Sequence, residues 1–195
     1  MPGKPTPSDE SPFVLDIKEI RRRAREHMEQ GAVTRSNTTD TKNVVRVLNE
    51  ALATEIVCVL RYKRHQYMAA GIHAKSIAAE FKEHAEEEQQ HADMIAERIT
   101  QLDGEPNFDP KGLATRSHTE YVEGRTLVEM LREDLVAERI AIESYTEIIR
   151  YLANKDPTSR LMMEKINAME EEHAEDIKTL LERVDSDELV REARN

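Results

Sequence analysis

The chain has 195 residues, enough for one domain that buries a full hydrophobic core without disulfides or a structural metal. Six glycines, no tryptophan and abundant Ala, Leu, Ile, Glu, Arg and Lys favour an all-α fold over a strand-rich one. The formal net charge of −11 argues against nucleic-acid binding through bulk positive charge and suits the attraction of small cations.

The N-terminal 40 residues are predicted to form an arm with one short amphipathic helix. Residues 1–12 hold four of the seven prolines, which favours disorder. A helix is predicted over residues 13–29, where apolar residues recur every three or four positions, and Gly31 follows as a stop signal. Such a short helix needs a docking surface, either on its own domain or on a neighbouring subunit. Its apolar positions are Ile17, Ile20, Ala24 and Met28.

Four long helices are predicted between residues 41 and 184, followed by a tail over residues 185–195. They span about residues 41–70, 75–102, 126–152 and 157–184. Thr126-x-x-Glu129 is a capping box, and Asp156-Pro157 combines an N-cap residue with a proline at the first helical position. The sequence therefore predicts a four-helix bundle with an accessory helix.

Each predicted bundle helix carries charged or imidazole side chains on its apolar stripe. Glu55 lies on the first stripe, and Glu88-x-x-His91 follows on the second; Glu138 and Glu170-x-x-His173 repeat this order on the third and fourth. Four buried carboxylates are costly unless cations or protons compensate them. Two divalent cations balance four carboxylates, and mixed carboxylate and imidazole ligands suit iron or manganese. The predicted ligands are Glu55, Glu88, His91, Glu138, Glu170 and His173.

A single Glu-x-x-His motif on an acidic helix is usually a solvated pair, so the di-metal prediction rests on its repetition. His84 lies one turn before Glu88 and is expected to be either a hydrogen-bonded core residue or a residue on the path of incoming metal. Tyr62 and Tyr145 are expected to serve packing rather than redox chemistry. The other histidines lack paired ligands and are predicted at the surface: His27, His65, His73 and His118.

The connection between the second and third bundle helices is predicted to be a long crossover. Both Glu-x-x-His helices can contribute to one midpoint only if the chain returns along the bundle between them. Residues 103–125 provide 23 residues, and extended chain covers about 3.3 Å per residue, so this segment can span a helix of about 40 Å.

Five segments resemble bacterioferritin and the bacterioferritin-like, Dps-like branch of the mini-ferritins over about residues 43–184. They are ATEI (53–56), EQQHAD (88–93), LDGEPN (102–107), DLVAE (134–138) and EEEH (170–173). The resemblance implies that Glu88 and Glu170 bridge two iron ions. It also implies that Glu55 and His91 complete one iron site and that Glu138 and His173 complete the other. Tyr62 matches a tyrosine that the family keeps beside this site.

Two departures from bacterioferritin refine the expectation. Gln89 stands where haem-binding bacterioferritins have a methionine, so haem is not expected. Only 22 residues follow His173, about half of which should finish the fourth helix, so the short fifth helix of 24-subunit ferritins should be absent or vestigial. A homo-oligomeric cage of 12 subunits is therefore predicted, with 24 as the alternative.

The predicted function is that of a ferroxidase for iron storage and detoxification. Two Fe(II) ions would be oxidised by dioxygen or hydrogen peroxide at a di-iron centre within the subunit, and Fe(III) would be stored in the cage. The alternatives are a rubrerythrin-like peroxidase, a manganese catalase and a DNA-protecting cage protein. DNA binding is not expected, because the Arg21–Arg23 and Arg25 cluster suits a solvated or intersubunit helix face.

Cellular context is predicted from what the sequence lacks. The single cysteine, Cys58, cannot form an intrachain disulfide and fits a reducing compartment. The N-terminus has no apolar segment typical of a secretory signal, and no run approaches the ~20 apolar residues of a membrane span. A cytoplasmic location without membrane contact is expected.

Overall fold

The computed structural model describes residues 13–72 and 74–192, with side chains up to residue 184. Six α-helices and one short 3₁₀ turn make up its regular structure, and none of the described residues forms a strand. The predicted all-α class and the four-helix bundle are confirmed. The helices are α1 (Ile17–Arg23), α2 (Thr41–Met68), α3 (Ala74–Gln101), α4 (Leu113–Arg116), α5 (Leu127–Leu152) and α6 (Pro157–Glu192).

The predicted helix over residues 13–29 is shorter in the structure, and that prediction was wrong in length. Helix α1 ends at Arg23, and a separate 3₁₀ turn covers Met28–Gln30. Between them, His27 takes a left-handed conformation with φ of 52°. None of the residues of α1 is buried, so this segment lacks the packing that would stabilise a longer helix.

The long helices begin where their capping residues predicted. Thr126 and Glu129 form the reciprocal capping box at the start of α5. Asp156 accepts hydrogen bonds from the backbone N–H and the hydroxyl group of Ser159 at the start of α6. Helix α6 continues to Glu192, past the end expected near residue 184. The division into arm, bundle and tail stays a prediction.

Helix α3 ends in a Schellman motif. The N–H of Asp103, at a left-handed φ of 59°, donates to the carbonyl oxygen of Thr100, and the N–H of Gly104 donates to that of Ile99. A Cβ atom on Gly104 would lie 2.7 Å from both methyl groups of Val45. Glycine therefore lets the start of the crossover pass close to α2.

The bundle consists of two antiparallel pairs, α2 with α3 and α5 with α6. Its interior contains two apolar clusters. One includes Leu48, Ile95, Tyr145 and Met163; the other includes Tyr62, Phe81, Leu131 and Ile177. Each long helix contributes to both clusters, and each carries its acidic or imidazole side chains between these two contributions. The polar residues therefore occupy a layer at mid-height.

The crossover from α3 to α5 follows α2, and polar side chains of α2 hold it there. Asn49 exchanges hydrogen bonds with the backbone of Glu105 and Asn107. Further along, the hydroxyl of Thr54 accepts from the N–H of His118 at 2.9 Å. Arg61 and Arg64 then donate to the carbonyl oxygens of Glu120 and Glu123, at 3.2 and 2.9 Å. These bonds satisfy the crossover's backbone along the length of the bundle.

Candidate metal centre

The six side chains singled out by the sequence meet in the polar layer. Glu55 extends from α2, Glu88 and His91 from α3, Glu138 from α5, and Glu170 and His173 from α6. None is more than 5% exposed to solvent. On α3 and α6 the carboxylate and the imidazole lie three residues apart, so they share one helix face.

The ligand atoms form two groups that share two carboxylates. In the first group, Nδ1 of His91 lies 3.5 Å from Oε2 of Glu55, 3.7 Å from Oε2 of Glu88 and 3.1 Å from Oε1 of Glu170. In the second, Nδ1 of His173 lies 3.3 Å from Oε1 of Glu88 and 3.5 Å from Oε2 of Glu170, and Glu138 completes the set. Glu88 and Glu170 therefore each present one oxygen to either group.

Unsatisfied polar atoms are concentrated in this layer. Seven buried atoms of the six residues have no hydrogen-bond partner among the described residues, although unpaired buried polar atoms are costly. These atoms are carboxylate oxygens and imidazole nitrogens, which are the ligand atoms that iron, manganese and zinc bind. The residues present therefore fit a pair of divalent cations. The atoms are Oε2 of Glu55, Oε1 of Glu88, Nδ1 of His91, Oε2 of Glu138, Oε1 and Oε2 of Glu170, and Nδ1 of His173.

Protons and metal ions compete for these atoms. Burial, together with the carboxylates of Glu170 and Glu88, raises the pKa of Glu55 well above its ordinary value. Burial disfavours the charged form of His173, but Glu170 and Glu88 outweigh it and raise the pKa of His173 to about 12. A metal that binds here must therefore displace protons, which makes its affinity depend on pH.

Two tyrosines hold the carboxylates that are not shared. The hydroxyl of Tyr62 donates to Oε1 of Glu138, and the hydroxyl of Tyr145 donates to Oε1 of Glu55. Both tyrosines are fully buried members of the apolar clusters, so they pack the core as expected. They also orient one carboxylate each, which their apolar periodicity did not reveal.

Two neighbours of His173 complete its surroundings. Nε2 of His173 donates to Oε2 of Glu87 at 2.8 Å, which orients the ring so that Nδ1 faces the shared carboxylates and can bind a metal that displaces its proton. The ring of His84 stacks on the ring of His173, with centroids 4.1 Å apart. The sequence analysis missed Glu87, and the only available signal was its position next to Glu88 in an acidic run.

The prediction that His65 lies at the surface was wrong, because its side chain is fully buried. Nδ1 of His65 contacts Oδ2 of Asp134 at 2.8 Å, and Nε2 donates to the carbonyl oxygen of Glu123. Nε of Arg61 donates to the other carboxylate oxygen of Asp134 at 2.8 Å, and the side chains of both residues are fully buried. His27 is exposed, His118 is partly buried, and His73 lies outside the described residues.

Neither Cys58 nor the arginine cluster of the arm adds to the centre. Cys58 is buried beside Thr119 and Arg61, and burial raises the pKa of its thiol well above the ordinary value. A thiol of this kind is chemically inert. Arg22 bonds Glu19 and Glu26 on the protein's own surface.

Within the described residues, none of the helices combines the length and the apolar character that a membrane span requires.

Comparison with solved structures places the chain beside bacterioferritin-related proteins. The bacterioferritin-related protein of Bacteroides fragilis, a dodecameric thioferritin, is 33% identical, with a TM-score of 0.74, covering 77% of this chain and 91% of its own. BfrA of Mycobacterium tuberculosis is 32% identical with a TM-score of 0.66, covering 74% and 86%. The Dps protein of Thermosynechococcus elongatus, 21% identical, shares the fold with a TM-score of 0.69 over 72% and 90% of the two chains.

Sequence comparison agrees with the structural likeness. The chain is 33% identical to the bacterioferritin BfrA of Mycobacterium tuberculosis over 144 residues. This aligned region covers 73% of this chain and 86% of BfrA. The family model of the ferritin-like domain matches residues 45–186, which include most of the four bundle helices and all six side chains of the polar layer. The resemblance inferred from the motifs is confirmed, and the chain belongs to the ferritin family.

Proposed function

We propose that this protein is an iron-storing ferroxidase whose substrate is Fe(II). The proposal rests on the two ligand groups that share Glu88 and Glu170. Their buried oxygen and nitrogen atoms include seven without a hydrogen-bond partner among the described residues. Four carboxylates match the charge of two Fe(II) ions, and oxygen-rich ligands also suit the Fe(III) product. The relatives named bacterioferritin and thioferritin support iron as the substrate over manganese.

The chain's own residues have distinct tasks in this reaction. Glu88 and Glu170 would each bind both Fe(II) ions, while His91 and His173 would each bind one of them. Glu55 and Glu138 complete the two positions and are oriented by Tyr145 and Tyr62. Two Fe(II) ions give up two electrons, which together with two protons from water reduce dioxygen to hydrogen peroxide, or hydrogen peroxide to two water molecules. Fe(III) then leaves for storage.

Storage requires a closed assembly, and we propose a homo-oligomeric cage of 12 chains. The similar protein of Bacteroides fragilis is dodecameric, which favours this number over 24. Twelve chains of 22.4 kDa give a particle of about 270 kDa. A reducing, cytoplasmic compartment would keep the substrate as Fe(II) and leave Cys58 unpaired.

Stopped-flow oxidation of Fe(II) by the assembled protein tests the function. Glu88→Ala and Glu170→Ala should each slow the fast phase by about 100-fold or more, because each removes a ligand from both positions. The charge-matched controls Glu86→Ala and Glu171→Ala change neighbouring side chains outside the two ligand groups and should oxidise Fe(II) at the wild-type rate.

Circular dichroism should show unchanged helicity in all four variants, because Glu88 and Glu170 are costly to bury and Glu86 and Glu171 are exposed. Wild-type oxidation rates in Glu88→Ala would refute the assignment. Fast disproportionation of hydrogen peroxide by manganese-loaded protein, without Fe(II) oxidation, would instead identify a catalase.

A further inference from the structure

Three side chains outside the two ligand groups converge where α3 faces α6. Nε2 of His84 lies 3.7 Å from Oε1 of Glu80 and 4.0 Å from Oδ2 of Asp176. The side chain of His84 is only 2% exposed, whereas those of Glu80 and Asp176 are 33% and 49% exposed. The cluster therefore extends from the solvent-exposed carboxylates of Glu80 and Asp176 to buried His84, which contacts the di-metal centre through His173.

The hydrogen bonds of Tyr62 determine which nitrogen of His84 carries the proton. A tyrosine hydroxyl has one proton to donate, and Tyr62 donates it to Glu138. The oxygen of Tyr62 lies 3.3 Å from Nδ1 of His84, so Nδ1–H is the donor in that contact. Nε2 of His84 is then left with a free lone pair, which is directed at Glu80 and Asp176.

A lone pair that faces two carboxylate oxygens is repelled unless a cation lies between them. The two separations exceed the length of an N–H···O hydrogen bond. They are close to the spacing of ligands around one divalent cation, where atoms about 2.1 Å from the ion lie roughly 3.0–3.5 Å from each other. Glu80 and Asp176 are exposed enough to close the remaining few tenths of an ångström by side-chain rotation.

We propose that Glu80, His84 and Asp176 form a third site for a divalent first-row cation in each chain. Two carboxylates balance the charge of one such ion, and the imidazole lone pair favours a transition metal over Ca²⁺ or Mg²⁺. The choice of Fe(II) as the physiological ion rests on the proposed function; binding of a cation does not. Because the ring of His84 stacks on the ring of His173, the third site would adjoin the di-metal centre.

Equilibrium dialysis of the assembled protein against Co²⁺ at physiological ionic strength tests the site. The wild type should bind three ions per chain, and the double variant Glu80→Gln with Asp176→Asn should bind two. Its charge-matched control, Glu83→Gln with Glu172→Gln, changes exposed residues of the same two helices outside the cluster and should still bind three. Anaerobic Fe(II) should give the same stoichiometries.

The outcomes separate this inference from the proposed function. Equal numbers of bound ions per chain in the wild type and in the Glu80/Asp176 variant would overturn the third site. The variant Glu55→Ala lacks a ligand of the centre but leaves the hydrogen bond from Tyr62 to Glu138 in place, so it should keep the ion that the Glu80/Asp176 substitutions remove. A wild type that binds one ion, lost in the Glu80/Asp176 variant, would retain the third site and refute the di-metal centre.

Discussion

At the residue scale, Asp156 combines two roles at the start of α6. Its carboxylate accepts from the N–H and hydroxyl groups of Ser159, and it accepts two hydrogen bonds from the guanidinium group of Arg98. Burial alone would raise the pKa of Asp156, but the bonds from Ser159 and the charge of Arg98 outweigh it and lower this pKa below 3.8. The ionised form is therefore the one that stabilises the fold.

Asp156→Ala should lower the free energy of unfolding by about 2–4 kcal/mol at pH 7, because it removes a cap and leaves Arg98 buried without its carboxylate. A depressed carboxyl pKa contributes stability that is complete above the unfolded value near 3.8 and fades as the pH falls through the folded value. The difference from the wild type should therefore narrow below about pH 4. Urea unfolding at several pH values measures this difference in the free energy of unfolding.

Asp156→Asn is the matched control, since its amide oxygen can still cap α6 while the charge is lost. It should destabilise the protein by less than Asp156→Ala at pH 7. A gap between wild type and Asp156→Ala that stayed constant down to pH 2 would show that the carboxylate's charge contributes nothing.

A second residue-scale prediction concerns haem. Gln89 is exposed and donates to Oδ1 of Asp93 at 3.0 Å, so it offers an amide where a haem-binding bacterioferritin has a thioether. The purified assembly should show no stoichiometric Soret absorption after reconstitution with haem. One bis-methionine-type haem per two chains would contradict this expectation.

At the element scale, the crossover depends on charged side chains of α2 that differ in burial. Arg61 is fully buried against Asp134, which also binds His65. Arg64 makes similar bonds to Glu123, but its side chain is 24% exposed and that of Glu123 is 64% exposed. Solvent screens the second pair and not the first, so their contributions to stability should differ.

Arg61→Met should lower the free energy of unfolding by about 3–5 kcal/mol, because it leaves Asp134 buried with a missing partner. Arg64→Met, the matched control on the next turn of α2, should cost less than about 1 kcal/mol. Thermal and urea unfolding would compare the two. Equal losses would show that the crossover is held by contacts other than the buried pair.

At the scale of the whole molecule, the arm exposes apolar side chains that its own bundle does not cover. Phe13, Val14, Ile17 and Met28 are 89, 79, 46 and 74% exposed. Several exposed apolar groups within one short segment favour a protein contact. In the proposed cage the available partner is a neighbouring subunit, so the arm is expected to contribute to assembly.

Deleting residues 1–31 should leave helicity and metal binding intact while producing smaller or less stable particles. The deletion retains Val33, which packs against one apolar cluster of the bundle. Light scattering at several concentrations measures the effect, and Ile17→Asn with Ile20→Asn in the full chain is the point-variant control. An unchanged particle with unchanged thermal stability would show that the arm has no part in assembly.

The sequence by itself located the four bundle helices and the residues that meet at mid-height. Helical periodicity placed Glu55, Glu88, Glu138 and Glu170 on apolar stripes, and local capping chemistry at Thr126 and Asp156 located two helix starts. These signals depend on residues within one or two turns of each other, so they survive without knowledge of the fold. The doubled Glu-x-x-His spacing then indicated which stripes face one another.

Only the tertiary structure decided the partners that come from distant parts of the chain. The burial of His65 depends on Asp134, 69 residues away, and His84 faces Asp176 from another helix. The end of α1 at Arg23 reflects missing packing, which helical periodicity cannot report. Periodicity specifies the face on which a side chain lies, whereas its hydrogen bonds depend on which helix packs against that face and at what height.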